Sequence, residues 1–109
     1  MNLFDVPDEL PSGELFDRLA AGGHVLVERI VSTGQTTPPG EWLEQERDEW
    51  VAVLQGEAEL SFVDGTRVVL ASGDHAIVPG GVRHRVERTS AEPPCIWLAV
   101  HATGFAKPT

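Results

Sequence analysis

Residues 59–70 have the sequence ELSFVDGTRVVL, and this stretch predicts a β-hairpin. Apolar residues alternate with polar ones on both sides of the pair formed by Asp64 and Gly65. An Asp-Gly pair between two such runs is typical of a tight hairpin turn, because these residue types tolerate the positive φ angles that the turn requires. The stretch therefore predicts two antiparallel strands joined by a short turn.

Outward from this hairpin, short β-branched or alternating segments recur between clusters of Gly, Pro, Asp and Ser. The chain has 11 glycines and 8 prolines among 109 residues, which is more than the average share of about 12% and indicates many turns. Seven or eight short strands at this spacing favour an all-β sandwich or barrel. The predicted strands fall within residues 24–33, 50–56, 58–63, 67–71, 75–79, 83–89 and 95–101.

The segment before these strands predicts a short helix over residues 12–21. Leu15, Phe16 and Leu19 lie at helical spacing, Ser12 is a candidate N-cap, and two glycines follow as a stop signal. At the other end, residues 103–109 contribute little to any core, and we expect this tail to be mobile.

Composition excludes several classes of function. The 17 acidic residues against 8 basic ones give a net charge of −9, which disfavours nucleic acid and anionic membranes as partners. The length predicts a single domain, and no stretch approaches the roughly 18 apolar residues of a membrane-spanning helix. Cys95 is the one cysteine, and the first residues lack the basic and apolar regions of a signal peptide. We therefore expect a cytoplasmic protein.

Two motifs in the middle of the chain resemble those of the cupin superfamily, specifically its small single-domain bacterial members. The second cupin motif fits the stretch GDHAIVPGGVRH at residues 73–84, and the end of the first motif fits EWVAVLQG at residues 49–56. The resemblance covers about residues 24–101 and implies a single jelly-roll barrel over about residues 24–102. The matching anchors are Glu49, Gly56, Gly73, Pro79, Gly81 and His84.

The first motif departs from the family pattern at its two histidines. Those positions align with Trp42 and Glu44 in this chain. By the resemblance, Glu44, Glu49 and His84 are the candidate ligands of a divalent metal such as iron, manganese, zinc or nickel. A shift of one residue offers Gln45 instead of Glu44. Without a metal, the paired carboxylates and the imidazole could act as an acid and a base.

The resemblance also implies a cavity that binds a small molecule. Glu49 and His84 are its candidate catalytic residues, and Trp42, Arg88 and His101 are its candidate substrate-binding residues. Three hypotheses stay open: a metal-dependent oxygenase or isomerase acting on a small polar organic molecule, a metal-free binding or regulatory protein, and a metal-free acid/base enzyme of the epimerase type. Family habit and the need to cover edge strands predict a homodimer.

Overall fold

The computed structural model describes residues 1–104, and within them the chain forms eight antiparallel strands in two sheets. This is the all-β, two-sheet architecture of a jelly roll, as the sequence predicts. One sheet has the order β1-β2-β8-β3-β6 and the other has the order β5-β4-β7. The strands are β1 (Leu15–Gly22), β2 (Val25–Ser32), β3 (Asp48–Gln55), β4 (Glu57–Phe62), β5 (Arg67–Ala71), β6 (His75–Val78), β7 (His84–Thr89) and β8 (Cys95–Ala102).

The core lies between the two sheets, where one face of each strand meets the other sheet. Val51 and Val53 from β3 and Trp97 from β8 pack with Leu60 and Leu70 from the smaller sheet. Because side chains alternate along a strand, the residues between them face the other side of each sheet, and these are polar at Glu59 in β4 but apolar at Ala52 in β3 and Ile96 in β8. The alternating sequence thus explains how two thin sheets enclose a common interior.

The predicted hairpin is confirmed, since β4 and β5 pair antiparallel. The turn between them takes residues 63–66, and Gly65 has the positive φ of 94° that the sequence predicts. Asp64 does not share this conformation. Its carboxylate instead accepts a hydrogen bond from Thr66 N at 2.9 Å, and this contact lowers the pKa of Asp64.

The predicted helix over residues 12–21 is wrong, because the segment forms strand β1. Asp17 lies opposite Arg29 of β2, and their side chains form an ion pair at 2.5 Å. Leu15 and Leu19 are half-buried, whereas Phe16 between them lies on the opposite face and is exposed. A helix this short is marginal on its own, while the edge of β2 offers a full ladder of backbone partners.

Strand β7 has an extra residue in its second half, and the side chains after it point to the opposite face from the one that regular alternation would give. Leu60 of β4 pairs with Val86, but its neighbour Glu59 pairs with Arg88, so Glu87 is an extra residue in β7. A β-bulge of this kind turns the following side chains to the other face. Thr89 is consequently buried, and Arg88 is exposed.

The first residues of the predicted tail are held by the barrel. Gly104 N donates to Asp48 Oδ2 at 3.0 Å, and residues 105–109 lie outside the described part of the chain. Among residues 1–104, no helix is long and apolar enough to cross a membrane.

Candidate functional site

A cavity of about 200 Å³ opens between the two sheets. Its volume is below the roughly 300–1,000 Å³ of sites for drug-sized ligands, so it suits a smaller molecule. The walls are mainly apolar and include Ile30, Val51, Leu60, Val78, Val86 and Trp97. The polar residues on its surface are Glu14, Glu28, Gln45, Glu49, His84 and His101.

His84 begins β7 and lies on the cavity wall with only 4% of its surface exposed. Its Nδ1 is 3.0 Å from the backbone oxygen of Val82. A carbonyl oxygen can only accept a hydrogen bond, so Nδ1 is the donor, and in the neutral form of the ring the lone pair is on Nε2. Among residues 1–104, the hydrogen bond of this ring is the one at Nδ1, and Nε2 has none. The structure therefore leaves this basic nitrogen available to a ligand in the cavity.

Glu49 lies at the start of β3 and is 9% exposed. One of its oxygens accepts a hydrogen bond from Gln45 Nε2 at 2.9 Å. Its other oxygen is 3.7 Å from His101 Nε2. Neighbouring groups thus fix the orientation of this carboxylate at the cavity wall.

His101 lies on the cavity wall and contacts a second carboxylate, that of Glu28. Its Nε2 donates to Glu28 Oε1 at 2.9 Å, which places the imidazole between Glu28 and Glu49. The three residues come from neighbouring strands β2, β8 and β3, where Leu26 is the direct partner of His101 and Glu49 is its partner on the other side. Sheet order, rather than closeness in sequence, assembles this group.

The register of the segment before β3 decides which of its residues face the cavity. The backbones of Leu43 and His84 form an isolated antiparallel bridge, with N–O distances of 2.7 and 3.0 Å. Directly opposed residues in such a bridge point to the same side, so Leu43 faces the cavity with His84. Gln45 follows at the same period and also lines the cavity. The alternative register, with Gln45 inside, is the one that the structure adopts.

Trp42 and Glu44, candidate site residues by the resemblance, therefore lie outside the cavity. Glu44 lies on the outer surface, where its carboxylate is 3.2 Å from Arg83 and its side chain is 53% exposed. Trp42 is 42% exposed, and the guanidinium of Arg85 lies 6.0 Å from its ring centre. A displacement of one residue along a strand reverses the direction of every side chain in it.

Arg88, a predicted substrate-binding residue, also lies outside the cavity. The bulge in β7 directs it to the surface, where it forms an ion pair with Glu57. The hydrogen bond from Arg88 to Glu57 raises the pKa of the guanidinium. Of the three predicted substrate-binding residues, His101 is the one on the cavity wall.

The predicted metal ligands do not come together. Glu49 and His84 line the cavity, but Glu44 is on the outer surface and is engaged by Arg83. Among residues 1–104, no three His, Cys, Asp or Glu side chains are arranged so that they could hold a metal ion. The donor set inferred from the motif therefore does not fit the metal site that the resemblance implies.

Two further carboxylates of the cavity are not predicted by the sequence motifs. Glu28 alternates with Leu26 and Ile30 in β2, and a lone carboxylate on such a face is a signal of an interior polar residue. Glu14 precedes β1 and accepts a hydrogen bond from the Ser32 hydroxyl. No comparable pattern identifies Glu14, because its position depends on β1 being a strand.

Comparison with known proteins identifies the class to which this fold and cavity belong. The family described as the cupin domain matches residues 28–101, and the chain belongs to this family. A protein from Ralstonia eutropha JMP134, provisionally named a mannose-6-phosphate isomerase, is 40% identical. Its structure aligns with a TM-score of 0.88 over 95% of this chain and 97% of that one.

More distant structures share the fold. A cupin superfamily protein from Desulfitobacterium hafniense DCB-2 is 20% identical, with a TM-score of 0.74 over 90% of this chain and 84% of that one. The DMSP lyase DddQ from Ruegeria pomeroyi DSS-3 is also 20% identical, with a TM-score of 0.62 over 78% of this chain and 41% of that one. No protein of curated function matches the chain.

Proposed function

We propose that this cupin binds a small polar organic molecule in its cavity and catalyses proton transfer on it, as an isomerase does. The observation that carries the proposal is the position of His84. Its Nε2 has a lone pair and no partner among the described residues, and it shares a small apolar cavity with the carboxylate of Glu49. A base and a carboxylate held in one cavity are the groups that general acid–base catalysis requires.

The roles follow from the hydrogen bonds of each group. His84 Nε2 accepts the proton from the carbon atom next to the carbonyl, the Glu49 carboxylate moves the hydroxyl proton from that carbon's oxygen to the former carbonyl oxygen, and His84 then returns its proton to the former carbonyl carbon. Glu49, held by Gln45 at 2.9 Å, interacts with the polar groups of the substrate. The apolar walls exclude water, which strengthens these interactions in the transition state. No step of this scheme requires a metal.

The name of the 40% identical relative supports the class of reaction, because aldose–ketose isomerisation is a proton transfer of this kind. A phosphorylated sugar fits this cavity less well, since no Lys or Arg among the described residues lines it. The proposal therefore concerns the type of reaction and leaves out the phosphate.

Proton exchange tests the proposal directly. The protein is incubated in D₂O with mannose, mannosamine and mannose 6-phosphate, and the C2 proton of each sugar is followed by NMR. We expect exchange with at least one of them in the presence of a chelator, and a loss of at least about 100-fold in the His84→Gln variant, the range of a general base. Melting temperatures of the variant and of a second one, His84→Asn, establish that the fold is intact.

Three results would contradict the proposal. These are no exchange with any of the three sugars, equal exchange in a folded His84→Gln variant, and a rate that chelation abolishes and added metal restores.

A further inference from the structure

The polar side of the cavity is acidic. Glu14, Glu28 and Glu49 contribute three carboxylates to its surface, and none of the described residues that line it is Lys or Arg. Buried carboxylates attract a cation strongly, because little water screens the interaction. Among ligands of similar size, the negative charge of the cavity lining thus favours cationic ones.

Four arginines of the barrel, Arg29, Arg83, Arg85 and Arg88, are engaged by other groups and do not offset this charge. Arg29 is 4% exposed, and its guanidinium bonds to Asp17 and to the backbone oxygens of Leu3 and Asp5. Arg83 and Arg88 pair on the outer surface with Glu44 and Glu57 respectively. Arg85 bonds to Glu87 and to backbone oxygens.

Most hydrogen-bond donors around the cavity already have partners. Trp97 Nε1 donates to Ser32 Oγ at 3.1 Å, and the Ser32 hydroxyl donates to Glu14. Gln45 and His101 donate to Glu49 and Glu28. Gln45 has a second N–H, but Nε2 of His84 is an acceptor without a partner among the described residues, so the ligand presents a hydrogen atom to this nitrogen.

We infer that the ligand of this cavity carries a cationic N–H donor, an amine or ammonium group, on a compact body that the apolar walls contact. The inference rests on the proposed function, since it takes the cavity as the binding site. The amine donates to the Glu49 carboxylate, which leaves His84 Nε2 free for the proposed proton transfer, and its charge compensates the carboxylates. Phosphate and carboxylate groups meet like charges there and are disfavoured.

An open groove next to the cavity differs from it by containing a positively charged side chain. It shares Glu28, Gln45 and His101 with the cavity and also contains His24 and Arg47. An anionic ligand would bind on this side, near the Arg47 guanidinium. Tightest binding of an anion in solution would therefore indicate binding in the groove and contradict a cationic ligand in the cavity.

A series of ligands with one ring and three head groups tests the inference. Cyclopentylamine, cyclopentanol and cyclopentanecarboxylate share their apolar ring and differ in charge. Calorimetry at low salt is expected to give a Kd for the amine at least tenfold below that of the alcohol, or about 1.4 kcal/mol, and the weakest binding for the carboxylate.

Two matched variants locate the effect. Glu49→Gln removes a carboxylate inside the cavity and is expected to lower the preference for the amine at least fivefold. Glu44→Gln makes the same change on the outer surface, where the side chain is 53% exposed, and is expected to leave the preference unchanged.

Equal affinities, tightest binding of the carboxylate, no binding of the amine, or the same effect of both variants would overturn the inference. The proton-exchange experiment tests the proposed reaction independently of this binding experiment. Exchange without preference for the amine would overturn this inference alone, whereas preference for the amine without exchange on any sugar would overturn the proposed reaction alone.

Discussion

At the scale of single residues, burial determines what each titratable side chain can do. Cys95 has no exposed surface, and the loss of hydration raises the pKa of its thiol to about 12, with a further contribution from the charge of Glu14. The thiolate is the reactive form of cysteine. The folded protein should therefore be inert to thiol reagents at neutral pH.

The raised pKa of Cys95 predicts a loss of stability in alkaline solution. The unfolded thiol loses its proton near pH 8.5, while the folded one retains it to about pH 12, so the free energy of unfolding falls as the pH rises between these values. Between about pH 8.5 and 10.5, urea denaturation should give a loss on the order of 2 kcal/mol. The chain has no Tyr to titrate in this range.

The Cys95→Ala variant provides the control for this measurement. Its free energy of unfolding should change much less over the same pH interval. An equal change in the wild type and the variant would show that the thiol is not the group responsible.

Single residues can be predicted from the sequence where a motif fixes their position within a strand. Glu49 and His84 lie on the cavity wall because each stands at the start of a strand whose alternation continues into the core. Trp42 and Glu44 precede β3 in an irregular segment, where a single bridge between Leu43 and His84 sets the direction. Nothing in the local sequence encodes that bridge.

At the scale of elements, the segment before β3 is held by close backbone contacts with the turn before β7. Gly81 N donates to the backbone oxygen of Gln45 at 2.7 Å, and Gly80 N donates to Asp48 Oδ1 at 2.8 Å. A Cβ atom at Gly80 would lie 2.1 Å from the backbone oxygen of Glu46. The glycine is therefore required by close approach, and the contacts hold Gln45 at the cavity.

The Gly80→Ala variant should destabilise the protein by about 1–3 kcal/mol, because the backbone of one segment must shift to relieve the clash. Thermal denaturation measures the change. Gly13→Ala is the matched control, since a Cβ atom at that position would have no neighbour within 4 Å, and it should stay within about 0.5 kcal/mol of the wild type. Equal melting temperatures for the two variants would contradict the close approach.

The sequence predicts element types well for strands with strict alternation and poorly where tertiary pairing decides the outcome. The spacing of Leu15, Phe16 and Leu19 satisfies a helix, and it also places Leu15 and Leu19 on one face of a strand. The pairing of Asp17 with Arg29 of the next strand is not visible in that local pattern. The bulge at Glu87 is likewise set by the partner strand.

At the scale of the whole molecule, the two sheets leave edge strands and apolar side chains exposed. β1 and β6 are the edges of the larger sheet, and Phe16, Val25 and Val69 are among the exposed apolar residues. We expect a homodimer, because uncovered strand edges favour association. Light scattering at micromolar concentration should give twice the chain mass of 11.8 kDa, and a monomeric mass would contradict the expectation.

Part of the acidic excess lies at the cavity, since three of the 17 acidic side chains line it. The central claim is that catalysis occurs in that cavity, on the side of Glu49 and His84. Glu44 and Glu49 are close in sequence, yet one faces solvent and the other faces the cavity. The same substitution at the two positions therefore separates the interior from the surface.

The most direct measurement is the rate of proton exchange in D₂O for the wild type, Glu49→Gln and Glu44→Gln under identical conditions. Catalysis in the cavity predicts that Glu49→Gln lowers the rate at least tenfold, while Glu44→Gln leaves it within twofold of the wild type. Equal rates for Glu49→Gln and the wild type, or a larger loss for Glu44→Gln than for Glu49→Gln, would contradict it.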